Sequence, residues 1–318
     1  KAMFCLGIES TAHTFGASLV DGNGSVLSDV RKSYKSAGKG IVPREVAAWH
    51  SENAGAIIEE AMVDGAEMVA FAQGPGIGNC LQVGSDAAHS LAEKLGVPLV
   101  GVNHCVAHLE IGRLFSKARD PVFLYVSGGN TQVVAFEAGK YRVFGETLDI
   151  GVGNLLDKFA RFLGLGFPGG PALYELSKRG KYLPLAYSVK GMDVCYSGLF
   201  TQAKQAIEKG AAKEDVAYSL QETAFSMLVE VSERAMAHCG KNELLLGGGV
   251  AASPLLQEKC RVMCEARDAK FLPIEPKYAV DNAVMIAWQG LLERKKANRE
   301  KWDIRPYWRT DEVAVDWR

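Results

Sequence analysis

The chain has 318 residues, a formal net charge of -1, 48% apolar residues and 23% charged residues. That length exceeds one ordinary domain and suffices for two lobes, each with its own core. The near-zero balance excludes a polycation, so any grip on nucleic acid must come from local patches or from a partner.

In chain order, residues 3–8 (MFCLGI) form a short apolar run that reads as a strand. The turn-rich Glu9-Ser10-Thr11-Ala12-His13-Thr14 follows, then a second strand over 15–19. Asp21-Gly22-Asn23-Gly24 is a hairpin turn into a third strand over 25–31. Periodicity turns helical over 43–63. A buried strand over 67–72 ends in Gly74-Pro75-Gly76-Ile77-Gly78, and a helix over 83–95 is closed by Gly96 and Pro98. The strand over 99–102 runs directly into Asn103-His104.

The second half restarts the pattern: strand 122–127, the turn Gly128-Gly129-Asn130-Thr131, strand 132–137, the turn Ala138-Gly139 and strand 141–146. This is an internal structural repeat. Helices are expected over 155–163, 171–178, 201–209 and 213–239, and a late strand over 243–246 enters Gly247-Gly248-Gly249. The short join near 117–121 predicts closely packed lobes, and a cleft between lobes is a usual ligand site.

The seven cysteines are Cys5, Cys80, Cys105, Cys195, Cys239, Cys260 and Cys264. The number is odd and no pair is spaced C-x-x-C, while Cys260 and Cys264 suit one helix face. We read reduced thiols in a cytoplasmic protein. No signal peptide is visible, no apolar run is long enough to span a bilayer, and Lys1-Ala2 reads as an addition ahead of a native Met3.

Three strand-ending turns could hold phosphates: 9–14, 127–131 and 247–253. Glycine lets backbone N–H groups approach phosphate oxygens closely, and Ser or Thr hydroxyls add donors. The third opens a helix expected over 251–256, whose N-terminus favours anionic groups. Each turn alone is better explained by a hairpin or by tight helix–strand packing. Matching turns at repeat positions point to an α/β actin/hexokinase/chaperone-ATPase-like fold. The first turn, Ile8-Glu9-Ser10-Thr11, lacks the D-x-G-[ST] acid of the kinases, which disfavours phosphoryl transfer to a sugar.

His104 and His108 lie four apart, about 40° apart on a helix, which is ligand spacing for a metal. The alternative is a pair of partly buried helix histidines. Cys105 follows His104 where a zincin needs Glu. Asp281 precedes the apolar run 283–288 and is equally a helix N-cap or a third ligand. Mixed N/O donors suit Fe, Zn or Mn better than Ca.

Together LGIESTAHTFGASL, IVPREVAAWHSENA, QGPGIGNCLQVG, GVNHCVAHLEIGRL, FLYVSGGNTQV, LDIGVGNLLDKFAR, LGFPGGPALYEL, KGMDVCYSGL, LLLGGGVAAS and YAVDNAVMIAWQG resemble the TsaD family. That family is the catalytic subunit of the KEOPS complex in archaea and eukaryotes, and the match covers nearly the whole chain. The resemblance implies two actin-like lobes over 1–119 and 120–291 and a tail over 292–318 packing back on them, with nucleotide and metal in the cleft. Each lobe would carry a mixed sheet flanked by helices. It implies a metal, Fe or Zn with Mg as an alternative, on His104, His108 and Asp281 with Tyr125 as a fourth ligand. Ser127, Gly128 and Gly129 would hold phosphates, beside Val126 and Glu9; Asp157 would take ribose hydroxyls, Gly170 would line the nucleoside pocket, and Gly248 and Gly249 would pack on adenine. Tyr174 stands where the family often has an acid, with Glu175 adjacent, and Ser253 stands where it usually has Asn.

The implied activity is transfer of threonylcarbamoyl from threonylcarbamoyl-adenylate to the N6 amine of a tRNA adenosine 3′ of the anticodon. The tRNA would read codons starting with A. Partners would be the KEOPS kinase-like subunit and its small dimeric bridging subunit, with no membrane. Such acyl-type transfer needs positioning and charge stabilisation more than a nucleophilic side chain, and no general base stands out. Basic candidates for tRNA contact are Arg31, Lys32, Lys35, Lys39 and Arg44, then Lys178, Arg179 and Lys181, then Arg294, Lys295, Lys296, Arg299 and Lys301, each also readable as a solvated cation. The alternatives are a carbamoyltransferase acting on a small molecule or protein, and a regulatory ATP-binding subunit.

Overall fold

The computed structural model of the chain describes residues 3–35 and 42–318. Lys39, one of the basic candidates, lies outside the described residues, as do Lys1 and Ala2. The chain runs through β1 (Phe4–Glu9), β2 (Thr14–Asp21), β3 (Val26–Ser33), α1 (Pro43–Ala61), β4 (Met68–Gly74), α2 (Gly78–Leu95), β5 (Leu99–Asn103) and α3 (His104–Ser116). It continues through β6 (Val122–Val126), β7 (Thr131–Glu137), β8 (Lys140–Glu146), α4 (Val152–Phe162), α5 (Gly169–Ser177), β9 (Val189–Lys190), β10 (Asp193–Val194) and α6 (Ser197–Glu208). Last come α7 (Lys213–Cys239), β11 (Glu243–Gly247), α8 (Pro254–Ala266), β12 (Lys270–Pro273), α9 (Pro276–Ala279) and α10 (Ala283–Leu292).

Two compact units result, one of Lys1–Phe115 with Val280–Arg318, the other of Ser116–Ala279. Each is built on a five-stranded sheet, ordered β3-β2-β1-β4-β5 in the first and β12-β11-β6-β7-β8 in the second. In both, an antiparallel meander (β1-β2-β3, β6-β7-β8) carries two parallel strands on the far side of its first strand (β4-β5, β11-β12). The repeat legible in the opening strands thus extends through the whole of each sheet. Strands β4, β5 and β6 are buried along their full length, so they read as continuous apolar runs rather than alternating ones.

Several elements differ from the sequence expectation. Helix α2 starts at Gly78 instead of 83, because Cys80 and Leu81 already share the buried face with Gly84, Ser85 and Ala88. The third glycine turn becomes a 3-10 turn, Gly249–Ala252, before α8. Pro254 sets the true helix start, since proline is favoured at the first helical position. Strand β12 gave no signal in the sequence, being four residues long and ending in Pro273, yet it pairs parallel with β11.

The unit boundary also departs from the expected one: residues 280–291, assigned to the second lobe, belong to the first unit. There α10 lies on β1 so closely that a Cβ on Gly7 would sit 2.3 Å from the backbone nitrogen of Ala287 and 2.4 Å from the carbonyl of Ala283. Only glycine permits that approach. Residues Ala283 to Ala287 are buried without a break, so the apolar run marks burial but carries no cue to which sheet it covers. Within the same unit Asn298 bridges Leu99, Arg305 N–H donates to the Gln73 carbonyl at 2.7 Å, and Trp317 Nε1 donates to Glu110 at 2.9 Å.

All seven cysteines are free thiols, with Cys260 and Cys264 both buried on α8. Among the described residues no helix is long and apolar enough to cross a membrane.

Candidate active site

In the first unit the parallel strands β1, β4 and β5 point their carboxyl ends the same way, the usual place for a ligand in an open α/β sheet. Strand β5 passes into α3 without a loop because Asn103 caps the helix. Its Oδ1 accepts from the N–H groups of Cys105 and Val106 at 3.0 and 3.1 Å. His104 is thereby the first residue of α3, and His108 lies one turn on. Their rings meet edge to face, with centroids 4.7 Å apart.

Asp281 completes the group from the start of α10. Its Oδ1 lies 3.5 Å from His104 Nε2 and 3.4 Å from His108 Nε2. The three donor atoms all fall within 4.8 Å of one another. Those separations are long for hydrogen bonds but match the edges of a coordination shell whose metal–ligand distances are about 2.0–2.2 Å. Two imidazole nitrogens and a carboxylate oxygen suit Fe or Zn, so the residues present fit such an ion. The capping alternative for Asp281 is overturned. Asn282 is the N-cap, its side chain accepting from Met285 N–H at 3.0 Å.

Electrostatics bind the group together. Burial works against charge on His104, but Glu9 and Asp281 outweigh it and hold its pKa well above the usual histidine range. Burial dominates at His108 and lowers its pKa, only partly countered by Asp281. Burial alone would raise the Asp281 pKa, yet the two histidines hold it well below the usual carboxylate range.

Glu9 joins this group from the end of β1. Grouped in the sequence with the nucleotide turns, it is fully buried and turned toward the histidines. Its Oε2 lies 2.9 Å from His104 Nδ1, and its Oε1 accepts from Thr11 N–H at 2.7 Å and from Thr11 Oγ1 at 2.5 Å. Residues 9 and 104 stand too far apart in sequence for any spacing rule to have linked them.

The second unit assembles the other expected residues. Tyr125 is buried on β6 and stacked on Phe123, with centroids 5.6 Å apart. The turn after β6 folds onto the start of α4. Gly153 N–H donates to the Ser127 carbonyl at 3.1 Å, and Asn154 N–H to the Gly128 carbonyl at 2.9 Å. A Cβ on Gly248, whose φ is +95°, would sit 2.2 Å from the carbonyl oxygen of Val126, so the third glycine turn lies against the end of β6. Gly249, by contrast, has open space where a Cβ would go.

Ser253 Oγ is buried without a hydrogen-bond partner among the described residues, a polar atom left for a ligand. Asp157 accepts from Gly169 N–H at 2.7 Å, and burial raises its pKa. Gly170 follows in the first turn of α5, and the Tyr174 ring lies 5.2 Å from Lys178 Nζ. Glu175 is taken up by the same lysine at 2.7 Å. Sequence reading missed Asn103, Asn282 and Asn154. The first two carry a usable signal, an Asn directly before a helical run.

A duplicated hairpin-led sheet, a glycine turn seated on a helix start and a three-donor cluster at strand ends define a chain of the actin/hexokinase-like ATPase fold. Among solved structures, full-length HypF in its phosphate- and nucleotide-bound form matches with a TM-score of 0.65 at 10% identity, over 92% of this chain and 55% of that one. The chain belongs to the TsaD family, described as tRNA N6-adenosine threonylcarbamoyltransferase, whose sequence profile matches residues 25–288. A Thermofilum pendens relative named tRNA N6-adenosine threonylcarbamoyltransferase is 52% identical over 100% of this chain and 98% of its own length. A Methanosarcina acetivorans relative named "Probable bifunctional tRNA threonylcarbamoyladenosine biosynthesis protein" is 49% identical, and this chain spans 60% of it.

Proposed function

We propose that this chain transfers threonylcarbamoyl from threonylcarbamoyl-adenylate to N6 of a tRNA adenosine 3′ of the anticodon, in tRNAs that read codons starting with A. The observation that carries this reading is the convergence of His104, His108 and Asp281 at strand ends in a member of this family. The N6 lone pair attacks the carbamoyl carbon, the bond from that carbon to the phosphate oxygen breaks, AMP leaves with that electron pair and N6 gives up a proton to solvent water.

A divalent ion, Fe or Zn, would be held by His104, His108 and Asp281 and would supply Lewis-acid stabilisation of oxygen charge. The turn Ser127-Gly128-Gly129 after Val126 takes the phosphate through backbone N–H groups. Asp157 accepts from ribose hydroxyls, Gly170 lines the nucleoside pocket, and Gly248 with Gly249 makes a flat floor for adenine. Ser253 Oγ, buried and unpartnered, is the atom available to the base. Tyr174 is a further lining residue.

The protein works in the cytoplasm with KEOPS-type partners, a kinase-like subunit and a small dimeric bridging subunit. A net charge of -1 supports sharing the tRNA grip with them. Several of this chain's own basic candidates are engaged locally: Arg31 with Asp29, Lys178 with Glu175, Lys296 with Glu293 and Arg299 with the Gly96 carbonyl.

The test is to incubate the chain and partner subunits with threonylcarbamoyl-adenylate and unmodified tRNA, digest the tRNA and seek threonylcarbamoyl-adenosine by mass spectrometry. Product that depends on this chain and disappears with His104→Ala supports the proposal. No product with competent partners and intact adenylate rejects it in favour of a small-molecule carbamoyltransferase or a nucleotide-binding regulator.

A further inference from the structure

We infer that Glu9 is a positioning residue for the metal centre, acting through His104 rather than touching substrate or ion. The inference rests on the metal reading above and adds a residue to it. The last residue of β1 sends its carboxylate into the interior, where it is fully buried. Oε2 lies 2.9 Å from His104 Nδ1, which leaves Nε2 as the ring nitrogen directed at Asp281, 3.5 Å away. A carboxylate on one imidazole nitrogen fixes the ring's orientation and tautomer and raises the basicity of the other nitrogen toward a metal.

Glu9 is itself held. Thr11 donates both its N–H, at 2.7 Å, and its Oγ1 hydroxyl, at 2.5 Å, to Oε1. The Thr11 carbonyl in turn accepts from Ile77 N–H at 2.8 Å. A Cβ on Gly76 would sit 2.8 Å from that carbonyl oxygen, so the loop after β4 is pressed against Thr11. The chain of support runs from this loop through Thr11 and Glu9 to His104. A buried glutamate needed only for structure requires partners for its oxygens. It does not require that one of them be the Nδ1 of a donor-cluster histidine.

Glutamine at position 9 has the same shape but one acceptor oxygen where the site uses two, so either Thr11 or His104 then faces an NH2 group. The experiment measures the Zn2+ dissociation constant of the full chain by competition with a chromogenic chelator, for wild type, Glu9→Gln, Thr11→Val and Thr11→Ser. Visible spectra of the Co2+ forms report ligand geometry, and near-UV circular dichroism of the metal-stripped proteins reports folding. We expect Glu9→Gln to weaken Zn2+ about 10- to 100-fold and to shift the Co2+ bands, with the metal-free fold unchanged. Thr11→Val should show a smaller loss that Thr11→Ser restores. Unchanged Zn2+ affinity and Co2+ spectra in Glu9→Gln and Thr11→Val, beside a wild type that binds one ion, overturn the inference alone. A wild type that binds no ion overturns the metal reading and the inference with it.

Discussion

Asn282 Oδ1 accepts a hydrogen bond from the backbone N–H of Met285 at 3.0 Å, and by capping α10 it frees its neighbour Asp281 for the histidines. The division of labour between adjacent residues is testable. Asn282→Ala should cost about 1 kcal/mol of stability, the usual value of a lost N-cap. It should also weaken metal binding although no donor atom changes, because the first turn of α10 sets where Asp281 stands. Asn282→Ser, which keeps an acceptor, should restore both. Chemical denaturation and metal titration of the two variants check this, and an Ala variant with full metal affinity would mean that Asp281 is placed by something other than the cap.

A second consequence concerns the seat of α10. Gly7→Ala puts a methyl group 2.3 Å from the Ala287 backbone nitrogen, and backbone cannot yield as a flexible side chain does. Overpacking of this kind costs about 1–3 kcal/mol. The helix must lift from β1, carrying Asp281 with it. We expect a lower thermal midpoint together with loss of the ion, measured by melting and by metal analysis of the purified variant.

How far the sequence carried the structure can be read from these same elements. The opening meander of each sheet was legible, because Asp21-Gly22-Asn23-Gly24 and Ala138-Gly139 punctuate buried runs. His104 and His108 were legible as a pair by spacing alone. Asp281 was visible only as an ambiguity, since it meets His108 across 173 residues and nothing local distinguishes a ligand from a cap. The pairing of Glu9 with His104 is tertiary and leaves no mark in the local sequence. Strand β12 is short and ends in proline, so it gains its identity only by pairing with β11. The placement of α10 depended on Gly7, whose empty side makes sense only once a helix lies on it.

The two units should be separable by mutation. His104→Ala, His108→Ala and Asp281→Asn each remove one of three donors and should lose ion and transfer activity together. Ser253→Ala lies in the second unit and removes a buried hydroxyl without a partner. It should keep the full ion content and raise the KM for adenylate about 5- to 10-fold, the effect of one hydrogen bond. Metal analysis beside steady-state kinetics decides this, and a Ser253→Ala protein that loses its ion would break the assignment of that residue to the nucleoside.

His50 gives the chain an acid sensitivity that needs no metal. The ring is fully buried on α1, edge-on to Phe15 with centroids 5.4 Å apart. Burial lowers its pKa to about 4, against the opposing pull of the His13 carbonyl and the Glu9 charge. The unfolded chain, with an ordinary histidine near pH 6.5, therefore binds this proton first as pH falls. Stability is unaffected above about pH 6.5, declines through the interval down to about pH 4, and levels off below it. At about 1.4 kcal/mol per pH unit the full loss is on the order of 3 kcal/mol. Replacing the ring by an aliphatic side chain in His50→Leu should remove this part of the slope. Urea unfolding at pH 7.5 and pH 4.5 should show a smaller drop for the variant than for the wild type. Equal drops in the two proteins would place the acid sensitivity elsewhere in the chain.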